Sequence, residues 1–140
     1  MTITIRSEIQ SLGEMQGRLS LPAGELEVSA PPEFGGEEEG NTPEDLQAGA
    51  LNSCFLMTLQ FFVNQMDLDV ENISCTVETT LEKGKSGWEF EKFTISPRLT
   101  ASEPRNRLES VLEKSKETCF VSKLISVPVT LDLSEVDTSG

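Results

Sequence analysis

The chain has 140 residues, of which 24 are acidic and 11 are basic, so its formal net charge is −13. That charge argues against nucleic acid and membrane partners, because both attract basic protein surfaces. The sequence has no histidine, which excludes Ser-His-Asp and Cys-His catalysis. Its three cysteines have no Cys-x-x-Cys spacing, so we predict no metal site and no cofactor. We expect one cytoplasmic domain over residues 1–140, since no apolar leader segment opens the sequence.

Alternating apolar residues predict three strands before residue 30, joined by turns at Gly13 and at 22–24. These strands are residues 2–9, 16–21 and 25–29. Together they predict an antiparallel meander. The segment 30–40, APPEFGGEEEG, follows as an acidic loop. Its consecutive glutamates favour a solvated loop over a calcium site, because they lack the alternation of an EF-hand.

The stretch 41–66, NTPEDLQAGALNSCFLMTLQFFVNQM, predicts one long helix around which the rest of the chain packs. Asn41 or Thr42 can cap this helix, and Pro43 suits its first position. Residues 54–63 are apolar on nearly every side, which indicates a buried helix. The apolar run is shorter than the ~20 residues that a membrane-spanning helix needs, so we expect no membrane span.

The second half of the chain predicts a strand pair at 71–83 and 88–99, with a bulge near Glu91–Lys92 where the apolar phase changes. Further predicted features are an amphipathic helix capped by Ser102, a last strand at 127–133 and a flexible tail at 134–140. The predicted order is β-β-β-α-β-β-α-β. This is an α+β fold in which antiparallel sheets pack on a long central helix.

Two cysteine motifs carry a resemblance to a known family. The first is Gly-x-x-Pro-Glu-x-Leu followed by Ala, Cys and Phe, present as Gly40, Pro43, Glu44, Leu46, Ala50, Cys54 and Phe55. The second is Cys-x-Val-Ser near the C-terminus, present as Cys119, Val121 and Ser122. On these residues the chain resembles the OsmC/Ohr family of organic hydroperoxide resistance proteins. The resemblance implies an OsmC-like fold and an intertwined homodimer, which the excess apolar surface of the central helix also favours.

The resemblance further implies a thiol-dependent peroxidase that serves oxidative stress defence. Cys54 would attack the peroxide as a thiolate and become a sulfenic acid, and Cys119 would convert this acid to a disulfide. A dithiol reductant, of the lipoyl type in the family, would reopen the disulfide. Apolar neighbours of Cys54 would favour an organic hydroperoxide over hydrogen peroxide as substrate. These candidate substrate-binding residues are Phe55, Met57, Phe61 and Phe62.

A thiolate at Cys54 needs a stabilising partner, because apolar surroundings raise the pKa of a thiol. In peroxidase members of the family, an arginine held by the motif glutamate supplies it. Glu44 matches that glutamate, and the arginine positions align with Met15 and with Glu33–Phe34, so Arg18 is the best substitute. The other candidates are Arg6, Arg98, Arg105 and Arg107. Ten helical residues place Glu44 roughly 15 Å from Cys54 along the axis, so a kink, a bridging side chain or a partner chain would complete the site.

Two other interpretations use the same fold. An apolar cavity between long helices could bind an apolar small molecule, or the thiols could act as a redox sensor without turnover. An arginine in contact with Cys54 would favour the enzyme. A closed apolar cavity, with Cys54 and Cys119 buried and apart, would favour the binding protein. The third cysteine, Cys75, lies on the apolar face of its strand and is interpreted as a core residue.

Overall fold

The computed structural model describes residues 1–138 in the order β-β-β-α-β-β-α-α-β-β, with a 3₁₀ helix (Pro32–Phe34) before the first α-helix. The predicted α+β class is confirmed. The chain divides into two compact units, Met1–Gln47 and Ala48–Gly140. That the chain forms a single domain stays a prediction.

The first unit carries a three-stranded antiparallel sheet. Its strands are β1 (Glu8–Gly13), β2 (Gln16–Leu21) and β3 (Gly24–Ser29). The predictions for β2 and β3 are confirmed to within one residue. Glu14 and Met15 form the turn between β1 and β2 with φ angles of 50° and 63°, as a two-residue hairpin turn of the primed type requires.

The first strand lies later in the chain than predicted. Residues 1–7 are irregular and exposed, and pairing with β2 begins at Glu8. The alternation at residues 2–6 is real, but β2 ends at Leu21 and offers no further partner to it. A strand forms only where a neighbour accepts its backbone hydrogen bonds. The prediction of a strand at 2–9 is therefore wrong for all but its last two residues.

The acidic loop 30–40 is held in place by a hydrogen bond to a side chain and by a close backbone contact. The Ser29 hydroxyl accepts a hydrogen bond from the Glu37 N–H at 2.8 Å. At Gly36 a Cβ atom would lie 1.5 Å from the Ala30 carbonyl oxygen, so the fold needs glycine there. These contacts fix the conformation of the loop that leads into the long helix.

Helix α1 (Pro43–Gln65) begins at a capping box. The Asp45 N–H donates to the Thr42 hydroxyl at 3.0 Å, and the Thr42 N–H donates to the Asp45 carboxylate at 2.9 Å. These reciprocal bonds satisfy backbone donors that the first helical turn leaves free. Thr42, one of the two predicted caps, is thus the cap.

One side of α1 packs into the core of the second unit, and the other side remains exposed. The side chains of Met57 and Phe61 are 61% and 57% exposed, so the prediction of a helix buried all round does not hold within this chain. Length and composition would allow α1 to cross a membrane, which corrects the expectation that it is too short. A soluble core helix has the same features. The core side chains of α1 are Leu51, Phe55, Leu59, Phe62 and Val63.

The second unit is built on a long hairpin of β4 (Val70–Gly84) and β5 (Gly87–Ala101). The four residues Phe90–Phe93 of β5 lie opposite the three residues Thr79–Leu81 of β4. The extra residue falls at 91–92, so the predicted bulge is confirmed.

The end of the chain forms two short strands, β6 (Val129–Leu131) and β7 (Val136–Thr138), which both pair parallel to β5. The expected antiparallel pairing therefore holds up to β5 and not beyond it. The Arg105 guanidinium donates to the carbonyl oxygens of Leu133 and Val136. These bonds hold β7 in the region predicted as a flexible tail, so that prediction is wrong for 136–138, while residues 139–140 lie outside the described part.

Helix α2 (Arg105–Thr118) packs on the core through the predicted face, whose buried residues are Leu108, Val111, Leu112 and Ser115. The predicted cap is wrong, because Pro104 occupies the N-cap position and no side chain caps this helix. A proline suits the helix start through its fixed φ angle. It leaves Ser102 two residues too early to act as the cap.

Candidate active site

Cys54 and Cys119 lie side by side in the second unit. Cys54 is half-buried in the middle of α1, and Cys119 is fully buried at the end of α2. The backbone of Cys119 is extended, with a ψ angle of 122°, and a short helix α3 (Phe120–Leu124) starts directly after it. Both cysteines are free thiols, and their side chains interact directly. The fold thus brings the two candidate redox residues together from positions 65 residues apart.

The Cys54 sulfur is surrounded by neutral hydrogen-bond donors. Burial raises the pKa of this thiol, but hydrogen bonds from the Val121 N–H, the Cys119 thiol, the Phe120 N–H and the Thr58 hydroxyl lower it by more. The two N–H groups are available because the first turn of a helix has no internal acceptors for them. As a result the pKa of Cys54 lies below its ordinary value, which favours the thiolate.

The pKa of Cys119 is shifted in the opposite direction. Burial raises it most, the Ser122 backbone lowers it, and the neighbouring Cys54 raises it again. Cys54 therefore ionises first, while Cys119 remains a thiol that donates a hydrogen bond to it. The two thiols thus differ in how readily they ionise because of their environments alone.

Within the described residues of the second unit, 48–138, no cation is among the groups that shift the pKa of Cys54. The arginines of the second unit are held in ion pairs with glutamates. These pairs are Arg98–Glu135, Arg105–Glu109 and Arg107–Glu103. In the first unit Arg6 pairs with Glu8. No arginine of the second unit therefore makes the contact with Cys54 that, from the sequence, would favour the enzyme.

Arg18 and Glu44, the candidate activating pair, both belong to the first unit. Arg18 lies on β2 between Glu25 and Glu27, at 3.7 and 3.6 Å. Glu44 stands in the first turn of α1, and its Oε2 atom is buried without a hydrogen-bond partner. Buried polar atoms in native proteins almost always have partners, so this carboxylate has an open position for a donor.

The four candidate substrate-binding residues fall on two sides of α1. Phe55 and Phe62 are buried in the core, with 0% and 9% exposure. Met57 and Phe61 are exposed, three and seven residues after Cys54, on the same side of the helix as that cysteine. Only the second pair offers apolar surface that a molecule approaching Cys54 could contact.

Sequence reasoning missed three of the groups around the Cys54 sulfur, namely those of Thr58, Phe120 and Val121. The spacing of four residues between Cys54 and Thr58 was a usable signal, because such residues are neighbours on one helix face. The helix after Cys119 has only five residues, too few for a periodic pattern. Among residues 1–138 no group of three or more cysteine and acidic side chains could hold a metal ion.

The family model of the OsmC-like proteins matches residues 35–134, which include both cysteines. The chain belongs to the OsmC family. Its relatives include peroxiredoxin OsmC of Escherichia coli, which is 27% identical over 100 residues that cover 68% of this chain and 67% of that protein.

Solved structures share the fold at lower identity. The OsmC-like protein of Mycoplasma pneumoniae gives a TM-score of 0.83 at 10% identity, with both chains fully covered. An organic hydroperoxide resistance protein of Elizabethkingia anophelis gives 0.76 at 18% identity, over 100% of this chain and 98% of that one. The predicted family and OsmC-like fold are thereby confirmed.

Proposed function

We propose that this OsmC family member is a thiol peroxidase that reduces organic hydroperoxides through Cys54 and Cys119. The observation that carries the proposal is the direct interaction of the two thiols, whose pKa values are shifted in opposite directions. The alternative of a binding protein with separate, structural cysteines lacks such support. A relative named peroxiredoxin OsmC adds weight to peroxide chemistry.

The proposed reaction has three steps. The Cys54 thiolate attacks the outer peroxide oxygen, the O–O bond breaks, and the leaving alkoxide takes a proton to become an alcohol. The resulting Cys54 sulfenic acid condenses with the Cys119 thiol, releasing water and forming a disulfide. A dithiol, of the lipoyl type by family resemblance, reduces the disulfide by thiol–disulfide exchange and is itself oxidised.

The surface near Cys54 suits a substrate with an apolar group. Met57 and Phe61 are exposed on the side of α1 that carries Cys54, and we assign them to substrate contact. Phe55 and Phe62 support this surface from the core. Hydrogen peroxide would gain nothing from such contacts, whereas an organic hydroperoxide would bury apolar area.

The exposed apolar surface of α1 also supports a homodimer. A helix of this length normally covers its apolar side chains, and large exposed apolar patches mark interaction sites. We propose that a second copy packs on α1. In that assembly the Oε2 atom of Glu44 would accept a hydrogen bond from an arginine. Arg18 of either copy is the candidate donor.

The test is hydroperoxide consumption in the presence of a small dithiol. We expect cumene hydroperoxide to be consumed faster than hydrogen peroxide. Cys54→Ser should abolish turnover. Cys119→Ser should slow it, because the dithiol must then reduce the Cys54 sulfenic acid without the help of Cys119. Arg18→Gln or Glu44→Gln should also slow it. Cys75→Ser is the matched control and should retain the wild-type rate. Consumption by Cys54→Ser at the wild-type rate would refute the proposal.

A further inference from the structure

Thr58 stands one helical turn after Cys54, and its hydroxyl donates to the Cys54 carbonyl oxygen at 2.8 Å. Side chains four residues apart in a helix are stacked, and the Cα–Cβ bonds point toward the N-terminus. The half-buried Thr58 side chain therefore covers the turn that holds the Cys54 side chain. Its hydroxyl is bonded to the Cys54 carbonyl oxygen, one turn from the sulfur, and it is among the groups that lower the pKa of the Cys54 thiol.

The bond from the hydroxyl to the carbonyl oxygen is dispensable for the helix. In an α-helix the carbonyl oxygen of Cys54 already receives the N–H of residue 58, four positions later. A hydroxyl can rotate about its C–O bond to another acceptor. A thiolate is a stronger acceptor than a carbonyl oxygen that is already paired, because hydrogen bonds to ionised groups are about twice as strong.

We propose that Thr58 is a further catalytic residue, whose hydroxyl moves its hydrogen bond from the Cys54 carbonyl oxygen to the Cys54 sulfur when the thiolate forms. Together with the N–H groups of Phe120 and Val121, it stabilises the nucleophile. The catalytic role rests on the proposed peroxidase function. The hydrogen bond to the sulfur does not, and it can be tested without peroxide.

The test measures the rate of Cys54 alkylation by iodoacetamide between pH 5 and pH 10, on the full-length protein, with the labelled peptide identified by mass spectrometry. Thr58→Val keeps the shape of the side chain and removes the hydroxyl. We expect it to lower the alkylation rate at neutral pH by roughly three- to tenfold and to move the midpoint to higher pH. Thr58→Ser should restore the wild-type profile.

Ser53→Ala is the matched control. The Ser53 hydroxyl also bonds back to a carbonyl of α1, that of Ala50 at 3.1 Å, but Ser53 is not among the groups that act on the Cys54 sulfur. It should leave the profile unchanged. Thr58→Ala provides a second hydroxyl deletion if the valine variant does not fold.

An unchanged midpoint in Thr58→Val, or an equal shift in Ser53→Ala, would overturn the proposed hydrogen bond. Hydroperoxide consumption is then measured on the same variants, and its rate should fall by the same factor as alkylation. If the alkylation midpoint shifts in Thr58→Val but the wild-type protein consumes no hydroperoxide, the hydrogen bond to the sulfur is supported and the proposed peroxidase function is wrong. If the wild-type protein consumes hydroperoxide rapidly and Thr58→Val consumes it at the same rate, the catalytic role of Thr58 is wrong and the peroxidase function is not.

Discussion

At the Cys54 sulfur, burial and hydrogen bonding act in opposite directions on the pKa. Burial favours the neutral thiol, and donors on α1, α3 and Cys119 favour the thiolate by more. At Cys75 burial prevails, raising the pKa to about 11 although a bond from the Ser96 backbone lowers it. The pKa values of these two half-buried thiols are thus shifted in opposite directions because of the number of donors around each.

Cys75 should make the protein less stable at alkaline pH. The thiol ionises near pH 9 in the unfolded chain and near pH 11 in the folded one, so the unfolded state loses its proton first. Well below pH 9 the thiol is neutral in both states and its ionisation does not affect the free energy of unfolding. Between pH 9 and pH 11 the free energy of unfolding falls by about 2 kcal/mol. Urea unfolding across this range measures the loss, and Cys75→Ala should show a shallower decline.

Val77→Ala serves as the control for the cavity that Cys75→Ala creates. Val77 is half-buried on the same face of β4 and does not titrate. Its replacement should lower stability at every pH and leave the slope between pH 9 and pH 11 unchanged. A Cys75→Ala variant with the wild-type slope would show that another group causes the alkaline loss.

Elements with a clear sequence pattern were predicted well, and elements defined by their neighbours were not. The bounds of α1 and the bulge in β5 follow from capping residues and a change of apolar phase, both of which are local signals. The position of β1 and the parallel pairing of β6 and β7 depend on which strand lies alongside. Periodicity in one segment carries no information about that neighbour.

The same reasoning explains what could be predicted of the site. Cys54 and Cys119 were identified from motifs, and the fold places them together. The donors of Phe120 and Val121 are backbone groups, which any residue type could supply at those positions. Phe55 and Phe62 were assigned to substrate binding because they are apolar residues near Cys54 in the sequence, whereas the structure buries both in the core.

The exposed side of α1 should hold two copies of the chain together. Phe61→Glu places a charge on the proposed contact surface, so it should shift the protein from dimer to monomer, since burying an unpaired charge is costly. Analytical ultracentrifugation at micromolar concentration measures this shift. Ser110→Glu places the same charge on the exposed face of α2 and should leave the dimer intact. A wild-type protein that sediments as a monomer would contradict the proposal.

Across the whole molecule, the fold is retained where most residues differ. The Mycoplasma pneumoniae protein superposes with a TM-score of 0.83 at 10% identity. A shared fold permits many activities, and the activity depends on a few residues placed on it. For this chain we propose that those residues are the two thiols and the hydrogen-bond donors around Cys54.

The most direct test of this account is to treat the reduced protein with one equivalent of cumene hydroperoxide and to map its thiols by mass spectrometry. We predict the loss of two hydrogen atoms and a disulfide between Cys54 and Cys119, with Cys75 still free. If all three thiols stay free, or if Cys54 is slowly oxidised beyond the sulfenic acid without forming the disulfide, the peroxidase account is wrong for this protein.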